Sequence, residues 1–294
     1  MTPSIHSVIR DIAAILEPHY ESQMHAYTVA WWIIEALTKK TRGQLLAGSW
    51  TPLTSSQTQQ LEQWLHAHTH EHYPLQYLLG CVPFGPLEIL VEAPTLIPRP
   101  ETEEWCARLV AHLEPLADRP LRILDMCTGS GCIALWLAHA LPNAEVYGVD
   151  ISPKAINLAQ RNATHNGVTN VQFLQSDLFD QVASHLSFDL IVSNPPYINP
   201  DVWHELSPTV ARWEDQVALV APEQGLAIIK KLVRIAPQFL SKQSTITHYG
   251  VPRLVIEIGF DQGNSVRALF IEAGFVTVRV LPDSADRDRV VSGW

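Results

Sequence analysis

The sequence has no apolar run approaching the ~20 residues needed to span a bilayer, which sets aside a helical membrane protein. Basic charge is short too: 20 Lys and Arg against 30 Asp and Glu leave a formal net charge of -10. Nucleic-acid affinity rests on neutralising phosphates, so this balance counts against a chain that clamps DNA or RNA. Cysteine is scarce, and Cys81, Cys106, Cys127 and Cys132 form no Cys-x-x-Cys pair. That pattern fits neither a zinc site nor a disulfide framework, and leaves small buried thiols in a reducing compartment. The N-terminal stretch lacks an apolar core followed by a small-residue cleavage site, and it carries Asp11 and Glu17 early. A cytoplasmic chain is the expectation, with the mitochondrial matrix as the alternative. Internal repeats and low-complexity segments are absent as well.

What is present is enough apolar material for a sizeable core, 47% hydrophobic residues against 17% charged ones in 294. A chain of that length is comfortable as a small domain plus a larger one. Residues 1–73 read as a helical domain. Val8, Ile9, Ile12, Ile15 and Leu16 follow helical spacing, as do Val29, Trp32, Ile33, Ala36 and Leu37. Thr54 followed by Gln57 predicts a capping box, and Gly43, Gly48 and Pro52 punctuate the segment. His66, His68, His70 and His72 alternate, which is read as a solvated helix end before Pro74 rather than a metal site. Residues 74–98, with prolines interrupting short β-like runs such as Leu87–Val91, read as a connector or β-hairpin. Residues 99–294 alternate strand and helix, and so predict an α/β domain with a parallel sheet covered on both faces.

Three motifs in that domain carry chemistry. Arg122-Ile-Leu-Asp-Met-Cys-Thr-Gly-Ser-Gly131 is an apolar strand, then Asp125, then a tight turn through Cys127, Thr128, Gly129, Ser130 and Gly131 into a helix. Glycines there permit backbone angles and close ligand approach that a Cβ would block, at the sheet edge where doubly wound folds bind ligands. Without a Gly-Lys-Ser/Thr sequence, the turn is not the phosphate loop of an NTPase. The second strand ends in Asp150, about 20 residues further on, where a carboxylate can accept from both ribose hydroxyls of a nucleoside. The third strand leads into Ser176-Asp177, with Asp177 at the same edge and able to face an adenine amino group.

The third motif, Asn194-Pro-Pro-Tyr197, follows the apolar strand Leu190–Ser193. Pro195 and Pro196 stop the strand and leave a stiff turn without competing N–H groups. The Asn194 side-chain oxygen and the Pro195 carbonyl offer two acceptors for the two hydrogens of an NH2 group, and Tyr197 can pack on its planar face. An amide nitrogen is a poor nucleophile because its lone pair is delocalised. Two acceptors push density back to it, and the remaining task is positioning for in-line displacement at roughly 3–3.5 Å. A catalytic His or Cys is not required.

With both halves read, the chain resembles the HemK/PrmC family, the glutamine-N5 methyltransferases of peptide-chain release factors. The carriers are Pro74-Leu-Gln-Tyr-Leu-Leu-Gly80, Phe84, Leu96-Ile-Pro-Arg-Pro-Glu-Thr-Glu103, Asp125 to Gly131, Asp150, Asn194 to Tyr197, Ile256-Glu-Ile-Gly259, Gln262-Gly263 and Asp288-Arg-Val-Val291. The resemblance covers essentially the whole length. It implies a Rossmann-like class I S-adenosylmethionine-dependent methyltransferase domain behind a substrate-docking helical domain. It further implies S-adenosylmethionine as cofactor without a metal, and the glutamine of a Gly-Gly-Gln loop in a class I release factor as substrate. Roles for Glu101 and Thr102 in substrate binding rest on the resemblance alone. Two positions depart from the family pattern: Cys127 stands where many members have Gly, and Leu178 where an aromatic residue often packs near the adenine. A Cys fits such a turn at negative φ. The default assembly is a monomer without direct nucleic-acid contact. The competing readings are methylation of a flipped base in DNA or RNA, and a binding protein that has lost turnover.

Overall fold

The computed structural model describes residues 3–244 and 246–294. The chain divides into two compact units. One comprises the residues up to Gly80 together with Pro208–Trp213, the other Cys81–Ser207 and Glu214–Trp294.

The smaller unit is built on the helices Ile5–Leu16, Gln23–Thr38, Ser55–His70 and Leu75–Leu79. Thr54 and Gln57 form the reciprocal capping box predicted for the third of these. Ile5, Ile9, Ile12 and Leu16 pack with Val29, Ile33, Ile34 and Leu37 in one apolar cluster. Ile15 and Trp32, which the spacing groups with that face, are instead 51% and 46% exposed, and Trp31 is buried in their place. Neighbours on a helix lie about 100° apart, so a stripe read one residue off turns outward. Of the alternating histidines, His66 and His70 are exposed, as a solvated helix end has them, and His68 departs from that reading. His68 is half-buried, with Nε2 on the Tyr20 hydroxyl at 2.8 Å and Nδ1 on the Tyr73 carbonyl at 2.9 Å. The helix Pro208–Trp213 groups with this unit because the Trp213 indole donates to the Glu71 carbonyl and packs edge-on against Tyr73 at 4.5 Å.

The larger unit opens with an antiparallel hairpin, β1 (Cys81–Phe84) and β2 (Leu87–Leu90). Its sheet consists of β3 (Arg122–Met126), β4 (Glu145–Asp150), β5 (Val171–Gln175), β6 (Leu190–Ser193), β7 (Leu254–Glu257), β8 (Val278–Pro282) and β9 (Asp288–Gly293), in the order β5-β4-β3-β6-β7-β9-β8. Strands β5 through β7 are parallel, and β9 runs antiparallel to both of its neighbours. Every residue of β6 and β7 is buried, as befits strands covered by helices on both faces. The crossovers include Cys132–Ala140, Pro153–Asn166 and Ala227–Phe239. From β3 the chain builds outward through β4 and β5, then returns to the far side of β3 for β6. That reversal opens a crevice at the carboxyl ends of β3 and β6, where doubly wound sheets place ligands. The helix Gly263–Glu272 is one that apolar spacing did not disclose. Among the described residues no helix is long and apolar enough to cross a membrane.

Candidate active site

The turn after β3 is built from its backbone upward. Gly129 and Gly131 adopt φ of +56° and +83°. At Gly129 the space a Cβ would occupy is open, whereas at Gly131 a Cβ would stand 3.0 Å from that of Ala159. The first glycine therefore leaves room for a ligand, and the second lets two helices close. Asp125 is wholly buried beneath the turn, where one carboxylate oxygen accepts from the Thr128 hydroxyl at 2.6 Å and the Ala134 N–H at 3.1 Å. Its other oxygen has no partner among the described residues. Burial pushes this carboxyl up to about 7, against the pull of those two donors. Cys127 corrects an expectation: its φ is +60°, not negative, and Leu178 shares the left-handed region at +47°. The residues that depart from the family pattern thus occupy positions that favour glycine, at a cost of roughly 1–2 kcal/mol for each L side chain. Burial also raises the Cys127 thiol well above its usual range, which keeps it an unreactive neutral group.

Asp150 ends β4 and faces the turn. One oxygen accepts from the Gly129 N–H at 2.8 Å and the other from the Ser152 N–H at 2.9 Å. A carboxylate has about four lone-pair positions, and these donors, with a further one from Ile151, do not fill them all, so the group can still accept from an incoming hydroxyl. Burial raises its pKa, opposed by these backbone donors.

A cavity of about 1020 Å³, its open mouth included, lies against these groups. Cys127, Gly129, Asp150, Asp177, Leu178, Asn194 and Pro196 line it. Asp125, Thr128, Ser130 and Gly131 support the turn from behind and do not line the cavity, and neither do Pro195 and Tyr197. Glu101 borders a second cavity, with Arg108 and Trp105. Sequence reasoning missed the far wall entirely. Pro94, Leu96, Asp215, Val217, Val220 and Pro222 contribute it, and no spacing marked those residues. The wall is tied down by the Asp215 N–H on the Pro94 carbonyl at 2.7 Å and by a 2.6 Å ion pair between Arg99 and the buried Glu214. A nucleoside fits this donor set: the incompletely filled carboxylate of Asp150, the open face of Gly129, and the apolar strip from Leu96, Ile151 and Leu178.

Asn194 leaves β6 at the inner edge of the cavity. Its Nδ2 donates to the Thr102 hydroxyl at 3.1 Å, and Thr102 donates to Glu257 Oε2 at 2.6 Å. Glu257 is 1% exposed and also accepts from the Trp105 indole at 2.7 Å and the Tyr197 hydroxyl at 3.2 Å. Burial raises its pKa, opposed by these donors and by the charge of Arg289. The tail of the motif is fixed by Gln262, whose Nε2 donates to the carbonyls of Tyr197 and Gln224. Ile198 then bridges to Leu219 and Ala221, which lays the cavity wall alongside the motif. Glu257 had a visible signal in the sequence: an acid inside the apolar run Leu254–Ile258 needs partners to be tolerated.

Comparison with known proteins agrees with this geometry. A methyltransferase domain family matches residues 117–265, and the PrmC N-terminal domain matches residues 7–80. The release factor glutamine methyltransferase of Escherichia coli (strain K12) is 38% identical over 261 residues, 89% of this chain and 89% of that protein. The enzyme of the same name from Salmonella typhimurium is 40% identical over 261 residues with the same coverage. That from Lactococcus lactis subsp. lactis is 40% identical over 225 residues, 76% of this chain and 78% of its own. With so much of both chains aligned and the glycine turn, Asp150 and the Asn-Pro-Pro-Tyr turn gathered at one crevice, the chain belongs to the release factor glutamine methyltransferase family.

Proposed function

We propose that the protein transfers the methyl group of S-adenosylmethionine to the side-chain amide nitrogen of the glutamine in the Gly-Gly-Gln loop of a class I release factor. The observation that carries this reading is the placement of Asn194 on the cavity with its NH2 already committed to Thr102. That leaves Asn194 Oδ1 to accept from a primary amide, with the Pro195 carbonyl, just behind the cavity lining, as the second acceptor of this reading. Asp150 holds the ribose hydroxyls, while Asp177 and Leu178 border the base. When bound, the cofactor supplies an electrophilic methyl on sulfonium.

The chain's own residues do the rest. Asn194 and Pro195 accept the two amide N–H bonds, raise electron density on nitrogen and fix its lone pair along the line of displacement. Pro195 is held rigid by its ring and by the following proline. Tyr197 is anchored through its hydroxyl to Glu257 behind the cavity, which fixes the turn that carries Asn194. The proton lost after transfer is acidic once the new C–N bond has formed, so the site needs no strong base. The smaller unit, matched to the PrmC N-terminal domain, docks the release factor, and the enzyme works as a monomer in the cytoplasm, where its free thiols stay reduced.

A radiolabelled-methyl transfer assay tests this with purified release factor, its Gln→Ala loop variant and duplex DNA offered side by side. Label on the intact release factor alone is the expected result. Label on DNA, or on the loop variant, would overturn the substrate assignment.

A further inference from the structure

The proposed clamp works only if Asn194 presents oxygen, not nitrogen, to the substrate. Nothing in an isolated Asn-Pro-Pro-Tyr turn decides that, because the two ends of the amide have nearly the same shape. The structure holds a chain of hydrogen bonds behind Asn194 whose direction is fixed at its far end. The Trp105 indole N–H can only donate, and it donates to Glu257 Oε2 at 2.7 Å. The same oxygen lies 2.6 Å from Thr102 Oγ1. An oxygen already accepting from the indole is the poorer seat for a carboxyl proton, so any proton on Glu257 goes to Oε1, beside the Tyr197 hydroxyl. Thr102 must therefore donate to Glu257, and its oxygen is left with lone pairs alone. The group 3.1 Å away on Asn194 is then the NH2, and Oδ1 is turned the other way. Reversing the amide would set Oδ1 against the Thr102 lone pairs and leave a buried hydroxyl without a donor, which burial makes costly.

We infer that Trp105, Glu257 and Thr102 form a polarity relay that sets the orientation of the Asn194 amide, with Thr102 acting as a positioning residue behind the clamp rather than a contact to substrate. Thr102 is 2% exposed and does not line the cavity, which is why it acts through Asn194. The inference rests on the amide-clamp reading above, and its test separates the two.

The test uses the full chain with Thr102→Val, which keeps the side-chain shape and removes the hydroxyl, and Thr102→Ser, which keeps the hydroxyl. Two readouts are taken: steady-state methylation of release factor, and solvent exchange of the Asn194 side-chain NH2 protons by nitrogen-15 NMR. Thr102→Val is expected to lower kcat at least about 10-fold, with cofactor affinity within about twofold of the parent and NH2 exchange about 10-fold faster. Thr102→Ser is expected to restore both to within about threefold. Should Thr102→Val fail to fold, Trp105→Phe removes the fixed donor while keeping an aromatic ring and is expected to move both readouts the same way. Unchanged NH2 exchange in the variants, or equal turnover by the Val and Ser forms, overturns the relay. A parent enzyme silent on release factor refutes the substrate reading, while the exchange measurement still decides the relay.

Discussion

The glycine turn after β3 and the Asn-Pro-Pro-Tyr turn after β6 leave neighbouring strands and meet one cavity, yet they are held in opposite ways. The first is held mostly from β3, β4 and the helices that follow them: Asp125 bonds Thr128 and Ala134, three and nine residues away, Asp150 bonds Gly129 across 21 residues, and Asn162 bonds the Ser130 carbonyl across 32. The second is held remotely. Thr102 reaches Asn194 across 92 residues, Glu257 reaches Tyr197 across 60, and Gln262 reaches the Tyr197 carbonyl across 65. A turn supported mostly from its own and the next βα unit acquires its geometry once those elements have paired. A turn whose supports are remote acquires its geometry only when the whole sheet has assembled.

Substitutions at the two turns should therefore fail differently. The largest effect belongs to Asn194→Ala, which is expected to lower methyl transfer on the order of 100- to 1000-fold by analogy with loss of one preorganised polar partner. Calorimetric cofactor affinity should stay nearly unchanged, and equal turnover would break the clamp. Next comes Asp150→Ala at the glycine turn, expected to weaken the cofactor by about 2–3 kcal/mol through loss of charge-assisted bonds to the ribose. Unchanged affinity in the same titration would refute the ribose assignment. Gly131→Ala sets a Cβ at φ of +83° against Ala159 and is expected to lower the unfolding free energy by about 1–3 kcal/mol. A denaturant midpoint equal to the parent's would show that the helices have room to part.

The smallest effect is a slope rather than a loss. Because the folded pKa of Asp125 stands at about 7, above its ordinary 3.8, the folded chain holds this proton more tightly than the unfolded chain. Stability from this group is full below about pH 4 and declines as pH rises toward 7. Asp125→Asn should flatten that part of the pH profile in urea titrations, and an identical slope in the variant would remove the buried proton from the account.

Legibility in the sequence follows the same division. Strand β6 and the end of strand β4 at Asp150 fall where the sequence pattern places them, because these signals are local. The turn from Asp125 to Gly131 was readable as a ligand turn for the same reason. What stayed hidden was the φ of Cys127, which a small side chain does not advertise, and the burial of Thr102, which its place in a Pro-Glu-Thr-Glu string made look like surface. The wall from Asp215 to Pro222 was equally hidden. Its residues carry no common periodicity and become a wall only by bridging to Ile198. Ile15 and Trp32 turned outward because each lies about 100° around its helix from a buried neighbour, Leu16 and Trp31.

Glu214 is the residue at which the chain rejoins the larger unit after Pro208–Trp213, and Arg99 grips it there with both carboxylate oxygens at 2.6 Å. In mechanical language the ion pair is a cleat. The cavity wall beginning at Asp215 starts next to a residue pinned within the larger unit. The shape of that wall is therefore set from within the larger unit, by the pair next to its first residue.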